Sequence, residues 1–270
     1  MDAIGRGSFA YFPEPYPDET IPSMVARYAR HVGTSQRALS KYIYGREPKT
    51  ISSLAPQRIN DLFSMIPSKL GLTLDGLLSA HTALSYYTAF MSKDEQAEVA
   101  SSWMAGEWDR RPPGIDAMPI GAAVRLRFCS SCLTLQREKL GEAYWRLSHQ
   151  LPIVTVCHEH HAPLRESLVK SMQSYSTFIC PDSHNCPADA PTVLDGIGED
   201  ELTILEELGQ AACKLLAGRY PSGLSPNWSG ADLIRGLGSK GYVVAGNRVR
   251  WEDLNHAVEE SLPTLVKVFP

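Results

Sequence analysis

The stretch Arg127-Phe-Cys-Ser-Ser-Cys132 is followed, after 24 residues, by Cys157-His-Glu-His160, and these two segments decide how the chain is interpreted. A Cys-x2-Cys turn places two thiolates on one metal ion, and a second short pair of soft ligands completes a tetrahedral shell. The spacing predicts one structural zinc ion bound by Cys129, Cys132, Cys157 and His160. The alternative is that these are ordinary cysteines or form a disulfide.

The residues between the two segments are apolar and β-branched. Tyr144, Trp145 and Leu147 precede the run Leu151-Pro-Ile-Val-Thr-Val156. Such a composition favours strands, so we expect each ligand pair to lie at a strand end, as in a zinc ribbon.

A second zinc site is a further hypothesis. Two cysteines occur in the segment Cys180-Pro-Asp-Ser-His-Asn-Cys186, and three histidines nearby have no assigned role. The candidate ligands are Cys180, Cys186, His184, His161 and His158. Because the gap between the two cysteines is longer than in a standard knuckle, the alternative is that Cys180 and Cys186 are free thiols in a loop. Cys213 falls in a helical pattern and is expected to be a small buried apolar residue.

The composition is that of an ordinary globular protein. The chain has 270 residues, of which 43% are hydrophobic and 21% charged. It contains no apolar run long enough to span a membrane and no signal peptide at its start. We therefore expect no membrane partner and a cytoplasmic, reducing location, which favours zinc over disulfides.

The formal net charge of −4 alone argues against nucleic-acid binding, but the charges are unevenly distributed. Residues 1–60 carry an excess of Lys and Arg, whereas residues 171–213 contain acidic residues and no basic ones. Local basic faces are therefore compatible with DNA binding, and the acidic stretch 189–207 suits a basic partner surface.

The N-terminal part is predicted to be helical. A helix from about Glu19, a turn at Gly33-Thr-Ser35 and a second helix from about 35 to 44 have the layout of a helix-turn-helix. The second helix would expose the DNA-contacting residues Arg37, Lys41 and Arg46. Further helices are expected at 55–65, 74–87 and 93–108, with His81 as a hydrogen-bonded core residue.

The C-terminal part is predicted to contain a linker at 187–200 and a helix at 201–216. A helix at 230–237, a hairpin turning at Gly246-Asn247 and a helix at 252–262 follow, an order that fits a winged helix. Near the hairpin, Lys240, Arg248 and Arg250 are candidate DNA contacts. The chain has no terminating element at Pro270, so we expect a truncated protein.

The predicted fold class is mainly α with one or more small β zinc ribbons. We expect an N-terminal helix-turn-helix domain at 1–115, a central zinc-ribbon region at 116–190 and a C-terminal helical, winged-helix-like module at 191–270. The oligomeric state cannot be predicted from these patterns.

Several segments together resemble the TniQ/TnsD family, the target-site selector proteins of bacterial transposons. They are Arg127–Cys132, Gly141-Glu-Ala-Tyr-Trp145, His149-Gln-Leu-Pro152 and Val156-Cys-His-Glu-His-His-Ala-Pro-Leu164, with a family-like start at Pro15–Tyr28. The resemblance runs from about residue 12 to about 165. One departure is His161, which stands where the family usually has a glycine.

The resemblance implies a function in transposition and DNA integration. Family members bind an attachment-site DNA sequence or associate with an RNA-guided CRISPR effector, and they recruit the AAA+ ATPase regulator of the transposon. This implies a bacterial, nucleoid-associated protein that binds double-stranded DNA, or a pure protein adaptor in a CRISPR-associated transposon.

Enzymatic activity is the remaining alternative. The chain lacks a P-loop, a Gly-x-Ser-x-Gly elbow and a His-Glu-x-x-His motif. A zinc hydrolase would keep three protein ligands and one water, with Glu159 or Glu142 as the acid/base. Four protein ligands already fill the predicted shell, so we expect no catalytic residues and no enzyme.

Overall fold

The structure is a computed structural model. It describes residues 7–45, 51–52, 54–55, 58–105, 124–173, 178–194, 197–219, 230–246, 248–261 and 263. The helices are α1 (Ile21–Val32), α2 (Gln36–Tyr44), α3 (Ile59–Phe63), α4 (Leu74–His81), α5 (Leu84–Tyr87), α6 (Lys93–Ala105), α7 (Ser130–Leu140), α8 (Glu199–Leu216), α9 (Gly230–Ser239) and α10 (Trp251–Ser261).

The first two helices begin and end at the residues that the sequence indicates. Thr20 caps α1 by accepting a hydrogen bond from the Ser23 amide, and Ser35 caps α2 in the same way. Gly33 ends α1 in the left-handed conformation with φ of 66°. The two helices and the short turn between them are therefore present as predicted.

Two of the later helices differ from the prediction. The helix expected at 55–65 is confined to α3. The helix expected at 74–87 is broken into α4 and α5, because the Thr82 hydroxyl donates to the Leu78 carbonyl and the Ala83 amide donates to the Leu54 carbonyl. The third, predicted at 93–108, is present as α6, and residues 106–108 lie outside the described part.

The strands form small antiparallel pairs. β1 (Ile51–Ser52) pairs with β6 (Met172–Gln173), and β2 (Arg125–Phe128) pairs with β5 (Arg165–Lys170). β3 (Val156–Cys157) pairs with β4 (Ala162–Pro163), and β7 (Val243–Val244) pairs with β8 (Arg248–Val249). The described residues thus form a mainly helical protein with small sheets, compatible with the ribbon part of the prediction.

The strands expected between the two ligand pairs are wrong except for β3. Residues 144–155 run irregularly through a 3-10 turn at Ser148–Gln150. Arg127, which is 8% exposed, donates to the carbonyls of Leu151, Pro152 and Val154. These carbonyls are satisfied by a side chain, so they need no neighbouring strand.

The helical part and the ligand-bearing part share apolar cores. Phe178 and Cys180 pack among the residues of α1 to α4. Conversely, Leu54 and Ala83 pack with the three ligand cysteines and with Ala212 and Leu216 of α8. The boundary predicted near residue 115 falls among residues that are not described.

Most of the predicted linker packs against the rest of the fold. The Glu166 amide donates to the Pro191 carbonyl and the Val193 amide donates to the Leu164 carbonyl, and Ala190 and Leu194 are buried. The linker prediction is therefore wrong for residues 187–194. Beyond α8, the order α9, β7–β8 hairpin and α10 is the order that the sequence predicts. In the ranges described here, no helix is both long and apolar enough to cross a membrane.

Candidate metal centre

The first ligand pair lies where β2 passes into α7. Cys129 occupies the N-cap position with an extended backbone, and Cys132 lies in the first turn of the helix. The free amides and the dipole at a helix N-terminus stabilise negative charge, so this position favours thiolates.

The second ligand pair lies in the β3–β4 hairpin. Cys157 is the last residue of β3, and the turn closes through a hydrogen bond of 2.8 Å from the His161 amide to the Cys157 carbonyl. This turn directs His160 back towards the cysteines. His161 has a positive φ of 52°, which explains why a glycine suits this position.

The four predicted ligands converge. The Nδ1 atom of His160 lies 3.7, 3.3 and 3.6 Å from the sulfurs of Cys129, Cys132 and Cys157, and the Cys132 and Cys157 sulfurs are 3.7 Å apart. All four ligand atoms lie within 4.8 Å of one another. The three cysteines are buried and His160 is half-buried.

These separations can be compared with a tetrahedral zinc ion. Zn–S bonds of about 2.3 Å and Zn–N bonds of about 2.0 Å give edges of roughly 3.8 Å between sulfurs and roughly 3.5 Å between sulfur and nitrogen. The observed separations agree with these edges to within a few tenths of an ångström. The cluster therefore has the ligand types and the size that a closed structural zinc site requires.

The thiols cannot all ionise by themselves. Hydrogen bonds from Cys132 and Cys157 lower the pKa of Cys129, whereas a hydrogen bond to Cys129 raises the pKa of both Cys132 and Cys157. A divalent cation supplies the charge that three adjacent thiolates need.

Arg146 provides a fixed positive charge beside the cluster. Its Nη1 atom donates to the Cys132 sulfur at 3.5 Å and lies 2.6 Å from a Glu159 oxygen. Its Nε atom donates to Asp18 at 2.9 Å. The neighbouring carboxylates hold the Arg146 pKa above its usual value even though burial lowers it. The charge of a Cys3His zinc site, formally −1, is balanced by such a cation.

Asp18 links this arrangement to the start of α1. Besides Arg146, its carboxylate accepts hydrogen bonds from the Ser148 amide at 2.9 Å and the Ser148 hydroxyl at 2.5 Å. Its carbonyl accepts from the Leu147 amide at 2.6 Å. The candidate ligand Cys132 is therefore connected through Arg146 and Asp18 to the start of α1.

The residues predicted for a second zinc are not brought together. Among the described residues, the four ligands above are the group that can hold a metal ion. Cys180 and Cys186 pack in different apolar clusters, and burial raises their pKa values to about 11 and about 12. His161 instead contacts Glu206 at 2.5 Å, and His158 lies 4.0 Å from the Cys213 sulfur. His184 is exposed.

The predicted DNA contacts lie on two separate parts of the chain. Arg37 and Lys41 are exposed on α2, and Arg46 lies outside the described residues. In the C-terminal module, Lys240 and Arg248 are exposed, and Arg250 pairs with Asp253 at 3.1 Å. The predictions for His81 and Cys213 agree with the structure in part: His81 hydrogen-bonds the Glu19 carbonyl at 2.7 Å, and Cys213 is half-buried beside the cysteine cluster.

Three residues around the centre were not identified from the sequence. Asp18, Arg146 and His149 surround the cluster, but none has the spacing of a metal ligand. Arg146 directly follows the family-like Gly141–Trp145 segment, which was the available signal. Asp18 lies in the family-like start Pro15–Tyr28, and His149 begins the family-like segment His149–Pro152. The contact of Asp18 with Arg146 could not be predicted from these segments, because it joins residues more than a hundred positions apart.

The fold and the site define a mainly helical protein organised around a buried Cys3His cluster that can hold a metal ion. The sequence profile of the TniQ family matches residues 10–164, more than half of the chain, and the chain belongs to this family. The matched part contains α1 to α7 and all four ligands.

A curated relative is the transposon Tn7 transposition protein TnsD of Escherichia coli. It is 27% identical to this chain over 155 residues, which are 56% of this chain and 30% of the relative. The match thus spans about a third of the length of TnsD. This similarity and the family membership agree with the resemblance found from the motifs.

Proposed function

We propose that this protein selects the target site for a bacterial transposon. In this proposal it binds target DNA, keeps its shape through one zinc ion, and recruits the AAA+ ATPase regulator of the transposon. The observation that carries the proposal is the family match over residues 10–164, which includes the ligand cluster. The protein acts by binding and carries out no bond chemistry.

The zinc ion has a structural part in this proposal. The four protein ligands leave no position for a catalytic water, and the cysteines are in a shared apolar core. Zinc would neutralise the thiolates and hold the start of α7 against the β3–β4 hairpin. The N-terminal helices reach the same centre through Asp18 and Arg146.

Metal analysis tests the site directly. We expect one equivalent of zinc in the purified protein and less than half an equivalent in Cys157→Ser, because three ligands in a closed site bind far more weakly than four. Cys213→Ser is the matched control, since it changes a half-buried cysteine outside the ligand set and should keep its metal. Equal zinc contents in the two variants would contradict the assignment.

Reconstitution tests the function. The protein, duplex DNA carrying the attachment site and the ATPase of the same transposon are combined, and the position at which the ATPase loads is mapped. We expect loading next to the attachment site only when this protein is present. If the ATPase loads at random positions in the presence of this protein, the proposal that the protein reads target DNA is contradicted.

A pure adaptor gives a different result in the same assay. It would direct loading only when an RNA-guided CRISPR effector is added, and it would show no preference among duplexes when tested alone. DNA cleavage or nucleotide hydrolysis abolished by a point change in this chain would contradict the non-enzymatic part of the proposal.

A further inference from the structure

A cleft of about 550 Å³ lies beside the metal centre. Its walls come from the end of α4, the segment after Trp145, the β3–β4 turn and the last turns of α8. Its lining includes Asp18, Arg146, Gln210, Lys214, Leu216 and Arg219. None of the five predicted DNA contacts that lie in the described residues lines the cleft.

The cleft presents two free positive charges although the net charge of the chain is −4. Among the described lining residues, the cations are Arg146, Lys214 and Arg219, and the carboxylate is Asp18. Because Arg146 is paired with Asp18 and Glu159, the uncompensated charge comes from Lys214 and Arg219. A concave surface concentrates such a local excess of charge.

Two of the three cations are available to a ligand. Arg146 is held by Asp18 and Glu159 and acts as a fixed charge in the wall. Lys214 and Arg219 are exposed and make no ion pair within the part of the chain that the structure describes. Lys214 also lies in the last turn of α8, where its positive charge interacts favourably with the helix dipole. Arg219 lies beyond the end of the helix, so an interaction with the helix dipole does not explain its position.

Lys214 and Arg219 supply the contacts that the cleft offers to an anion. The hydroxyls of Ser79 and Ser148 already donate to the Gly76 carbonyl and to Asp18, and the Gln210 amide donates to Glu206. Lys and Arg side chains are common contacts of nucleic-acid phosphates. Together with the proposed function, the two free cations favour a phosphodiester as the ligand.

We propose that this cleft binds the phosphate backbone of duplex DNA, with Lys214 and Arg219 as the contacting cations. The inference rests on the proposed function and gives it a surface next to the metal centre. Contacts of this kind fix the position of the protein on the duplex without reading its sequence. The zinc unit would then hold Arg146 and the β3–β4 turn in the wall that faces the phosphates.

Charge removal at the two contacting residues tests the proposal. Binding of the full chain to labelled duplex DNA is measured over a salt series for Lys214→Gln/Arg219→Gln. The matched control is Lys69→Gln/Lys93→Gln, which removes the same charge from two exposed lysines outside the cleft. Melting curves confirm that both variants fold.

We expect the cleft variant, and not the control, to lose affinity for duplex DNA. The slope of log K against log salt should become shallower by about 1.8 for two lost phosphate contacts, and affinity at 0.1 M salt should fall roughly tenfold to a hundredfold. The control should change neither value appreciably. Binding of the cleft variant equal to that of the control would overturn this inference while leaving the proposed function intact.

Two other outcomes also overturn the inference and are distinguishable. If the unmodified chain fails to bind any duplex, the DNA-binding part of the proposed function fails with it. If a polyglutamate peptide binds the unmodified chain and loses affinity with Lys214→Gln/Arg219→Gln while DNA binding does not, the cleft is a site for an acidic protein segment instead.

Discussion

Single residues around the metal centre are placed in conformations and environments that cost free energy. His161 has a left-handed backbone, and its imidazole Nδ1 lies 2.5 Å from a Glu206 oxygen. His149 is 2% exposed, and its Nε2 atom has no hydrogen-bond partner among the described residues. Both residues allow predictions about stability.

The backbone of His161 sets which side chains are tolerated there. In the left-handed region a β-branched residue is strained more than histidine, whereas glycine is not strained. We expect His161→Val to lower the free energy of unfolding by about 1 kcal/mol. His161→Gly should change it by less than about 0.5 kcal/mol, because the relief of strain offsets the loss of a surface contact with Glu206. Chemical denaturation measures both, and equal losses would contradict the backbone explanation.

Burial makes His149 a source of acid sensitivity. Burial, together with the charge of Arg146, lowers the pKa of His149 to about 4. Between pH 6.5 and pH 4 the unfolded chain therefore binds a proton that the folded chain does not, and stability falls as the pH falls. At pH 5.5 the loss from this residue is about 1.2 kcal/mol relative to pH 7.

The variant His149→Gln should remove this part of the pH dependence. Between pH 7.5 and pH 5.5, with zinc in excess, the unmodified chain should lose roughly 1 kcal/mol more stability than the variant. Only the difference between the two pH dependences is used, since the substitution also changes packing. Parallel pH profiles would show that His149 does not titrate as described.

At the scale of elements, polar networks fasten α1 to the segment that follows α7. Arg27 of α1 contacts Glu19 at 2.7 Å and Glu142 at 2.8 Å, and His31 contacts the second oxygen of Glu142 at 2.9 Å. The Ser23 hydroxyl accepts from the Trp145 amide at 3.0 Å. These contacts join elements that are far apart in sequence and fix their relative position.

Asp18 is the part of this connection that reaches the metal centre. Asp18→Asn keeps the side-chain shape and the tolerance for a positive φ, which is 59° here, but removes the negative charge beside Arg146. We expect a loss of about 2 kcal/mol in unfolding free energy, since charge-assisted hydrogen bonds in a partly buried pair are lost.

The control for Asp18 is another ion-paired aspartate on the surface. Asp253→Asn removes the exposed pair with Arg250 and should cost less than about 0.5 kcal/mol. Thermal or urea unfolding compares the two. If Asp18→Asn lowered the free energy of unfolding as little as the control, the connection between α1 and the metal centre would contribute little to stability.

At the scale of the whole molecule, the metal centre belongs to a core that extends beyond a small ribbon. The ligand cysteines pack with Ala83 next to α5, with Leu151 and with Ala212 and Leu216 of α8. Leu39 and Ile43 of α2 are buried in a different cluster. The destabilisation caused by losing the metal should therefore differ between parts of the fold.

Hydrogen exchange after chelation tests this distribution. We expect amides in α7 and in the second half of α8 to lose protection first, because their packing depends directly on the ligand cysteines. Amides of α2 should keep more of their protection at the same time. Simultaneous loss in all helices would show that the two clusters unfold as one unit.

The sequence by itself predicted the four residues of the Cys3His cluster and most local elements. Ligand spacing is a local property, so Cys129, Cys132, Cys157 and His160 could be identified before their geometry was known. The same holds for α1, α2 and the order of elements from α9 to α10, because capping residues, hydrophobic periodicity and turn residues act within a few positions. The helix-turn-helix and winged-helix functions of these elements remain predictions.

The tertiary structure decided what local patterns do not encode. Residues 151–154 look like a strand, but buried Arg127 binds three of their carbonyls, and this satisfies the backbone without a ladder. Cys180 and Cys186 lie close in sequence, yet their side chains pack in different cores and not around a metal. The cleft with Lys214 and Arg219 forms only when α4, the β3–β4 turn and α8 meet. Such sites depend on long-range packing, whose free energy comes from contacts between segments that no short stretch of sequence contains.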